Sequence, residues 1–310
     1  MGFLYAERAV QTRERMDIPY IRGRVATQAH VALPEGTVED EYARNGFSGR
    51  YAHLYRAQPP VGWTRIEGPL RPRLYDLGAL SLGVCSEEAP GDWLATRVPV
   101  LGNRDVRLHW GSLDGAMRYT FRNADADELL FVHKGSGTLA TDFGPLAYET
   151  GDYLLIPRGT AYRLASHEPT HALVMEFFSE VRVPDRGMLG QHALFDPAVL
   201  RVPSPGDPGA AGAPANAQGE HELRVLRRGA VTRVFYPFDP LNTVGWKGTL
   251  SVWQLNVRDI RPVLSDRYHL PPSAHSTFVM RDAVICTFLP RPLEHGDDDR
   301  SNERRQRQAR

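Results

Sequence analysis

Cysteine is scarce: the chain holds two, Cys85 and Cys286, and neither belongs to a C-x-x-C pair. That excludes a disulfide framework and a thiolate metal site, and leaves two reduced, buried thiols as the expectation. Lysine is nearly missing, Lys134 and Lys247 being the only two, while arginine supplies the rest of the basic count. Charge of one sign is missing too, because 37 basic residues balance 37 acidic ones. No general attraction to nucleic acid or to an anionic membrane follows from such a balance, so neither is expected as a partner. No apolar run approaches the ~18–20 residues of a membrane span. The opening MGFLYAERAVQTRERMD meets charge too early for a secretory signal, and a cytoplasmic protein is expected.

What is present is the composition of a globular chain: 310 residues, 42% hydrophobic and 24% charged, enough for two domains of ordinary size. From about Thr64 to Val183 short apolar or alternating runs are broken every 6–12 residues by Gly, Pro, Asn or Asp, as in VRLHWGSL, ELLFVHKGSG, DYLLIPRG and HALVMEFF. Such spacing predicts a mainly β protein, an antiparallel sandwich or barrel. Residues 200–222 are rich in Pro, Gly and Ala with almost no bulky apolar side chain, which predicts a linker. A second β-rich segment follows in RVFYPF, GTLSVWQLNV, STFVM and AVICTFLP. The expected organisation is an N-terminal arm with short strands (1–63), a barrel (64–199), the linker (200–222), the start of a second β domain (223–293) and a disordered charged tail (294–310). Packing of part of the second segment on the first barrel is the alternative.

Residues 122–164, RNADADELLFVHKGSGTLATDFGPLAYETGDYLLIPRGTAYRL, carry a spaced frame. Glu128 and Gly135 fit the end of an E-x6-G motif, and Gly151, Pro157 and Gly159 fit a G-x5-P-x-G motif. This frame resembles the cupin superfamily, and the resemblance implies a cupin-like jelly-roll or β-barrel. In that superfamily histidines precede the first motif and close the second. Here those positions hold Arg122 and Ala124, or Phe121 and Asn123 if the register slips by one, and Tyr162. Glu128 alone remains of the ligand set. A first-row divalent metal needs three or more N, O or S donors, so a metal-free barrel is expected. His133 and His171 at strand edges and His167 in a turn are read as surface or hydrogen-bonded histidines rather than relocated ligands.

Residues 234–292 carry a second set of motifs: Val244, Trp246 and Gly248; His269, Pro272 and Ser273; Phe288, Pro290 and Arg291. Together with GFSGRYAHLYR from Gly46 to Arg56, they resemble the homogentisate 1,2-dioxygenase family. That resemblance implies a metal-free N-terminal barrel paired with a C-terminal barrel that binds Fe(II). It also implies O2-dependent ring cleavage of a homogentisate-like aromatic acid in tyrosine and phenylalanine breakdown. Two histidines and a carboxylate suit such iron because they hold it on one face and leave the other open. By the H-x-x-P-S match, the resemblance implies that His269 is the catalytic base that takes the phenolic proton.

The resemblance implies that the iron ligands follow the F-x-P-R strand: a histidine about twenty residues on, a glutamate six after it and a second histidine about thirty further. In this chain the only histidine after Arg291 is His295, the residue six later is Ser301, and Arg310 is last. No complete metal site is therefore visible, and a truncated or frame-shifted member is expected. A substitute triad of His269, His275 and Glu294 would lack the outer hydrogen bonds that orient metal-bound imidazoles. His295 with Asp297, Asp298 and Asp299 reads as a solvated run, and the Arg-rich end as a weak RNA signal. The expected partners are the aromatic acid and O2, with a homo-oligomer or a complementing iron-domain protein as company. The rival expectation is a non-catalytic bicupin remnant or scaffold that binds small aromatic acids or completes a separately encoded iron domain.

Overall fold

The computed structural model describes residues 23–26, 32–45, 48–69, 71–81, 92–204, 215–263, 270 and 272–288. The chain divides into two compact units, one of residues 1–65, 265–269 and 292–310, the other of residues 66–264 and 270–291. In the first, β1 (Val38–Asn45) and β2 (Ser48–Arg56) form an antiparallel hairpin with Val38 opposite Arg56. The Arg56 Nε donates to Asp40 Oδ2 at 2.6 Å, and His53 Nδ1 lies 2.7 Å from Glu39 Oε1. Both contacts join facing strands, and the opposite charges of Arg56 and Asp40 add a few tenths of a kcal/mol.

The second unit opens with a short helix, α1 (Leu77–Ser81), and is otherwise built of strands. These are β3 (Val98–Gly102), β4 (Val106–Leu113), β5 (Thr120–Asn123), β6 (Asp127–Thr141), β7 (Gly144–Tyr148), β8 (Asp152–Ile156) and β9 (Ala161–Phe177). After them come β10 (His221–Arg227), β11 (Ala230–Tyr236), β12 (Trp253–Asn256), β13 (Ser276–Val279) and β14 (Val284–Cys286). The fold class is the expected one, mainly β. Strands β6 and β9 are long enough to pair with each other from Asp127↔Phe177 to Thr141↔Tyr162 while each also serves two shorter partners. The first half of β6 pairs with β8 and its second half with β7; the first half of β9 pairs with β5 and its second half with β4.

A strand that changes partners midway must bend, and Gly135 is where β6 does so. Its φ is +103°, and a Cβ there would lie 2.6 Å from Pro169 O and 2.7 Å from Thr170 Cα. Bulges in the β6–β9 register cluster at the same place, between Val132 and Gly137. The motif glycine is thus required by curvature and by close backbone approach, whether or not a metal is present.

The bend leaves two apolar layers. Inside the barrel lie Trp93, Phe121, Leu130, Val132, Leu139, Tyr162, Leu164 and Val174. On the outer face Leu129, Leu155, Met175 and Phe177 meet Val181, Leu194, Phe195, Leu255, Ile260 and Phe278. Adjacent residues such as Leu129 and Leu130 therefore serve opposite layers, as strand alternation dictates.

Residues 221–236 and 253–256 add strands to the barrel sheet. Strand β10 lies parallel to β5 with Leu223 opposite Thr120, β11 pairs with β10, and β12 pairs with β8 with Trp253 opposite Leu155. All three belong to the ten-stranded barrel sheet. Strands β13 and β14 form a two-stranded sheet whose Phe278 packs in the outer layer, and Val279 bridges Arg182. Bidentate pairing of Arg163 with Asp239, at 3.0 Å to both carboxylate oxygens, and the Asp152 carboxylate, which accepts from Gln254 and Asn256, tie this segment to β8 and β9. Of the expected linker, residues 205–214 lie outside the described residues, as do Cys85 and the 294–310 tail.

Replacement Gly135→Ala is expected to cost about 2–4 kcal/mol by forcing the β6 bend against the Pro169 carbonyl. Urea unfolding measures this, and a change below about 0.5 kcal/mol would show that the bend relaxes freely.

Candidate functional site

The frame that marks a metal site in sequence folds around an arginine. A tight turn at Asp92–Thr96 is closed by Thr96 N donating to Asp92 O at 3.2 Å and by Ala95 N donating to Asp92 Oδ1 at 3.1 Å. The turn is clamped further where the Asp92 carboxylate accepts from Tyr119 OH at 2.7 Å and from Arg224 at 2.9 Å. It inserts Trp93, fully buried, over Gly111, where a Cβ would come within 2.7 Å of the indole ring. Directly before β3, Arg97 then extends into the barrel with its side chain 6% exposed.

The guanidinium is held by the two motif residues. Its NH1 donates to Glu128 Oε1 at 2.7 Å and its NH2 to Tyr162 OH at 2.8 Å. The Tyr162 hydroxyl donates in turn to Glu128 Oε2 at 2.6 Å and accepts from Trp93 Nε1 at 3.2 Å. Asn123 Nδ2 reaches Glu176 Oε1 at 3.0 Å and Glu128 Oε1 at 3.3 Å, while its Oδ1 accepts from the amides of Asp125 and Ala126. Glu176 Oε1 lies 3.7 Å from Arg97 NH1. The rings of Trp93 and Phe121 flank the cation at 5.1 and 5.3 Å. Arg97 Nε and His109 Nδ1 are buried without a hydrogen-bond partner.

The electrostatics follow from two carboxylates and one fixed cation in a dry interior. Burial works against the charge on Arg97, but Glu128, Tyr162 and Glu176 outweigh it and hold the guanidinium more firmly protonated than usual. Burial, followed by the neighbouring Glu128 charge, pushes the Tyr162 phenol well above its ordinary range. Glu176 is raised by burial and then by Glu128, with Arg97 opposing. His109 is lowered by burial and then by Arg97.

Iron does not fit this position. Glu128, the one carboxylate the motif retains, already binds a cation through one oxygen and a phenol through the other. A second cation would meet Arg97 at hydrogen-bonding distance from the same ligand, with Tyr162, Phe121 and Asn123 where imidazoles would be needed. The register of β5 settles the slip by one residue: Phe121 and Asn123 face inward, 0% and 3% exposed, and Arg122 is half-buried.

The structure disperses the other candidates. His133 lies within β6, and His167 and His171 within β9, rather than at strand edges or in a turn. Trp110 stacks on His171 at 6.3 Å and meets His133 edge-on at 5.5 Å, and His171 Nδ1 hydrogen-bonds Ser112 Oγ at 2.9 Å. His275 is buried beside Phe288 at 4.8 Å. The predicted base His269 and the residues Glu294 and His295 lie outside the described residues. No cluster of three or more His, Cys, Asp or Glu suited to a metal occurs among the described residues. Arg97 and Glu176 lie outside the spaced motifs. Glu176 had a signal, a lone charge in HALVMEFF at the same strand parity as Ala172 and Val174; Arg97, ahead of its strand, had none.

Fold and site together define a mainly β, cupin-like barrel whose motif turns are intact and whose central cation is an arginine of the chain itself. Residues 93–257, just over half of the chain, match the family described as homogentisate 1,2-dioxygenase N-terminal, and the chain belongs to that family. A Saccharolobus solfataricus protein named provisionally as a dioxygenase is 28% identical over 290 residues, covering 88% of this chain and 73% of that protein. Homogentisate 1,2-dioxygenase of Rhodopseudomonas palustris is 26% identical over 265 residues, covering 80% of this chain and 52% of its own, so the chain spans about half that relative's length. Among solved structures, a cupin-2 domain protein from Shewanella frigidimarina overlaps 26% of this chain and 78% of its own at 18% identity and a TM-score of 0.24. A salicylate 1,2-dioxygenase in complex with gentisate overlaps 26% of this chain and 24% of its own at 16% identity and a TM-score of 0.25.

Replacement Arg97→Met strands the Glu128 charge in the core and is expected to cost about 3–5 kcal/mol, whereas Arg97→Met with Glu128→Met costs less than the single change. Additive losses in urea unfolding would show that the pair does not act as a unit. For Glu176 the folded pKa is raised above the unfolded one, so stability falls as pH rises from about 4 through the folded value. Glu176→Gln is therefore expected to melt higher than the wild type at pH 7 and to lose that advantage below pH about 4. A gap independent of pH would refute the assignment.

Proposed function

We propose that this chain serves an Fe(II)- and O2-dependent ring cleavage of a homogentisate-like aromatic acid, in tyrosine and phenylalanine catabolism, as its metal-free barrel. Family membership and the dioxygenase relatives support a dioxygenase-like role. The observation that carries the metal-free assignment is the Arg97 guanidinium bound to Glu128 and Tyr162. In this proposal the redox chemistry belongs to ligands other than the described residues, and His269 takes the proton from the phenolic hydroxyl. A homo-oligomer, or a partner carrying the iron domain, completes the enzyme.

The same guanidinium favours a second reading, a non-catalytic scaffold or binding subunit for small aromatic acids. A barrel closed by its own cation needs no metal to fold and can support another domain. The experiment that tests both is O2 uptake with homogentisate by the 310-residue chain loaded anaerobically with one equivalent of Fe(II). The expected result is no uptake beyond that of free Fe(II), as both the scaffold role and a dependence on a complementing iron domain require. Sustained turnover would overturn the scaffold reading and place an iron centre in the chain beyond the described residues.

A further inference from the structure

Of the described strands that end a row in the ten-stranded sheet, β11 alone is left unguarded. The outer edge of β12 is closed by a bridge in which Arg201 N donates to Gln254 O at 3.1 Å and Gln254 N donates to Arg201 O at 2.9 Å. Strand β3 carries Pro99 and a bulge between Pro99 and Leu101, and the short β7 carries Pro145. Proline, bulges and covering segments are the usual guards against edge pairing. Strand β11, Ala230–Tyr236, has neither proline nor bulge and pairs with β10 alone. Arg228 and Gly229, both at positive φ, form the tight turn before it, with Arg227 opposite Ala230 as the closing pair. Alternation from that pair turns the backbone N–H and C=O groups of Val231, Arg233 and Phe235 away from β10. Among the described residues none of these groups has a hydrogen-bond partner. The hairpin is firmly seated, because the Asp125 carboxylate accepts from the amides of Arg228 at 2.7 Å and Gly229 at 2.9 Å.

This edge is complementary to itself. When two copies pair antiparallel about a two-fold axis at Arg233, Val231 of each lies opposite Phe235 of the other, and every outward backbone group gains a partner. A displaced register sets Phe235 against the Arg228–Gly229 turn or Val231 against Pro237, which has no N–H. The side chains agree with the central register. Val231 is 49% and Phe235 43% exposed, and each covers the other across the axis. The one charge on the strand is already neutralised, since Arg233 Nε donates to Glu222 Oε1 at 2.6 Å and NH2 to Oε2 at 3.1 Å. The two arginines at the axis therefore meet as closed ion pairs, not as bare like charges. Apolar surface continues past the strand to Phe238, 49% exposed, whose ring lies 5.5 Å from that of Tyr236. We propose that β11 is a dimerisation edge, taking β11 of a second copy of this chain in antiparallel register centred on Arg233. The two-fold closes the assembly, because each copy offers this edge once. The interface concerns assembly alone and does not depend on the function proposed above.

The test follows the full chain by sedimentation velocity across a range of protein concentration, as wild type, as Val231→Lys with Phe235→Lys, and as Val231→Lys with Phe235→Glu. The wild type is expected to pass from monomer to dimer as it is concentrated. V231K/F235K sets lysine against lysine across the axis and is expected to weaken association at least about tenfold. V231K/F235E sets lysine against glutamate and is expected to recover most of that loss. A wild type that stays monomeric at every concentration overturns the proposal, as does a dimer that V231K/F235K leaves unchanged. Open-ended aggregation, or a V231K/F235E variant no better than V231K/F235K, overturns it too. Should V231K/F235K fail to fold, cysteine cross-linking replaces it. Opposed residues of a hydrogen-bonded antiparallel pair have Cα atoms about 5.5 Å apart, within disulfide reach. Mild oxidation is therefore expected to link R233C into dimers far beyond the wild-type baseline, and to leave Thr232→Cys, which faces Val234 of the second copy, at that baseline. Equal linking of the two variants, or linking of neither, overturns the interface.

Discussion

Inside the barrel a single glutamate survives from a motif that elsewhere serves metals, and a carboxylate in a dry core must find a cation or lose its charge. Arg97 supplies that cation, and the geometry around it explains much of the unit's construction. To bring the guanidinium to Glu128, the turn at Asp92–Thr96 must enter the barrel, which demands a bare backbone at Gly111 for the Trp93 ring and a clamp on Asp92 from Tyr119 and Arg224. To complete the shell, β5 must present Asn123 inward and β9 must present Tyr162 and Glu176. One ion pair thereby couples the turn before β3 to β5, β6 and β9. Its net contribution against an apolar core of the same shape is small, but removing one partner alone leaves an expensive orphan.

The second organising constraint is the outer face of the sheet. The β6–β9 pair is apolar on both sides, so a bare barrel would expose Leu129, Leu155, Met175 and Phe177. Residues from 178–200, 252–263 and 272–286 cover that face, and β10 to β12 extend the hydrogen-bonded edge that β5 and β8 would otherwise leave open. Ion pairs of long sequence separation, Arg224 with Asp92 and Arg163 with Asp239, hold the extension in register. These segments lie in the same compact unit as the barrel strands.

The strand content was legible because it rests on local signals. Runs such as ELLFVHKGSG and DYLLIPRG announce strands and turns through β-branched and aromatic residues bounded by glycine and proline, and Gly135, Gly151 and Gly159 do adopt positive φ in the structure. The missing histidines were equally legible, since a side chain that is not in the sequence cannot coordinate anything. The cation that stands in their place was not legible. Arg97 sits 31 residues from Glu128 and 65 from Tyr162, in a turn without a motif, and nothing local distinguishes it from the many surface arginines.

The sequence by itself determined the class of fold, the positions of the tight turns and the absence of a histidine set in the barrel, because alternation, φ requirements and ligand chemistry act within a few residues. Tertiary structure alone decided that the barrel's centre is an arginine, that β5 turns Asn123 rather than Arg122 inward, and that residues 221–256 join the first sheet. Those outcomes depend on which distant groups meet once water is excluded, and the free energy of a buried charge depends on its neighbours in space and not on its neighbours along the chain.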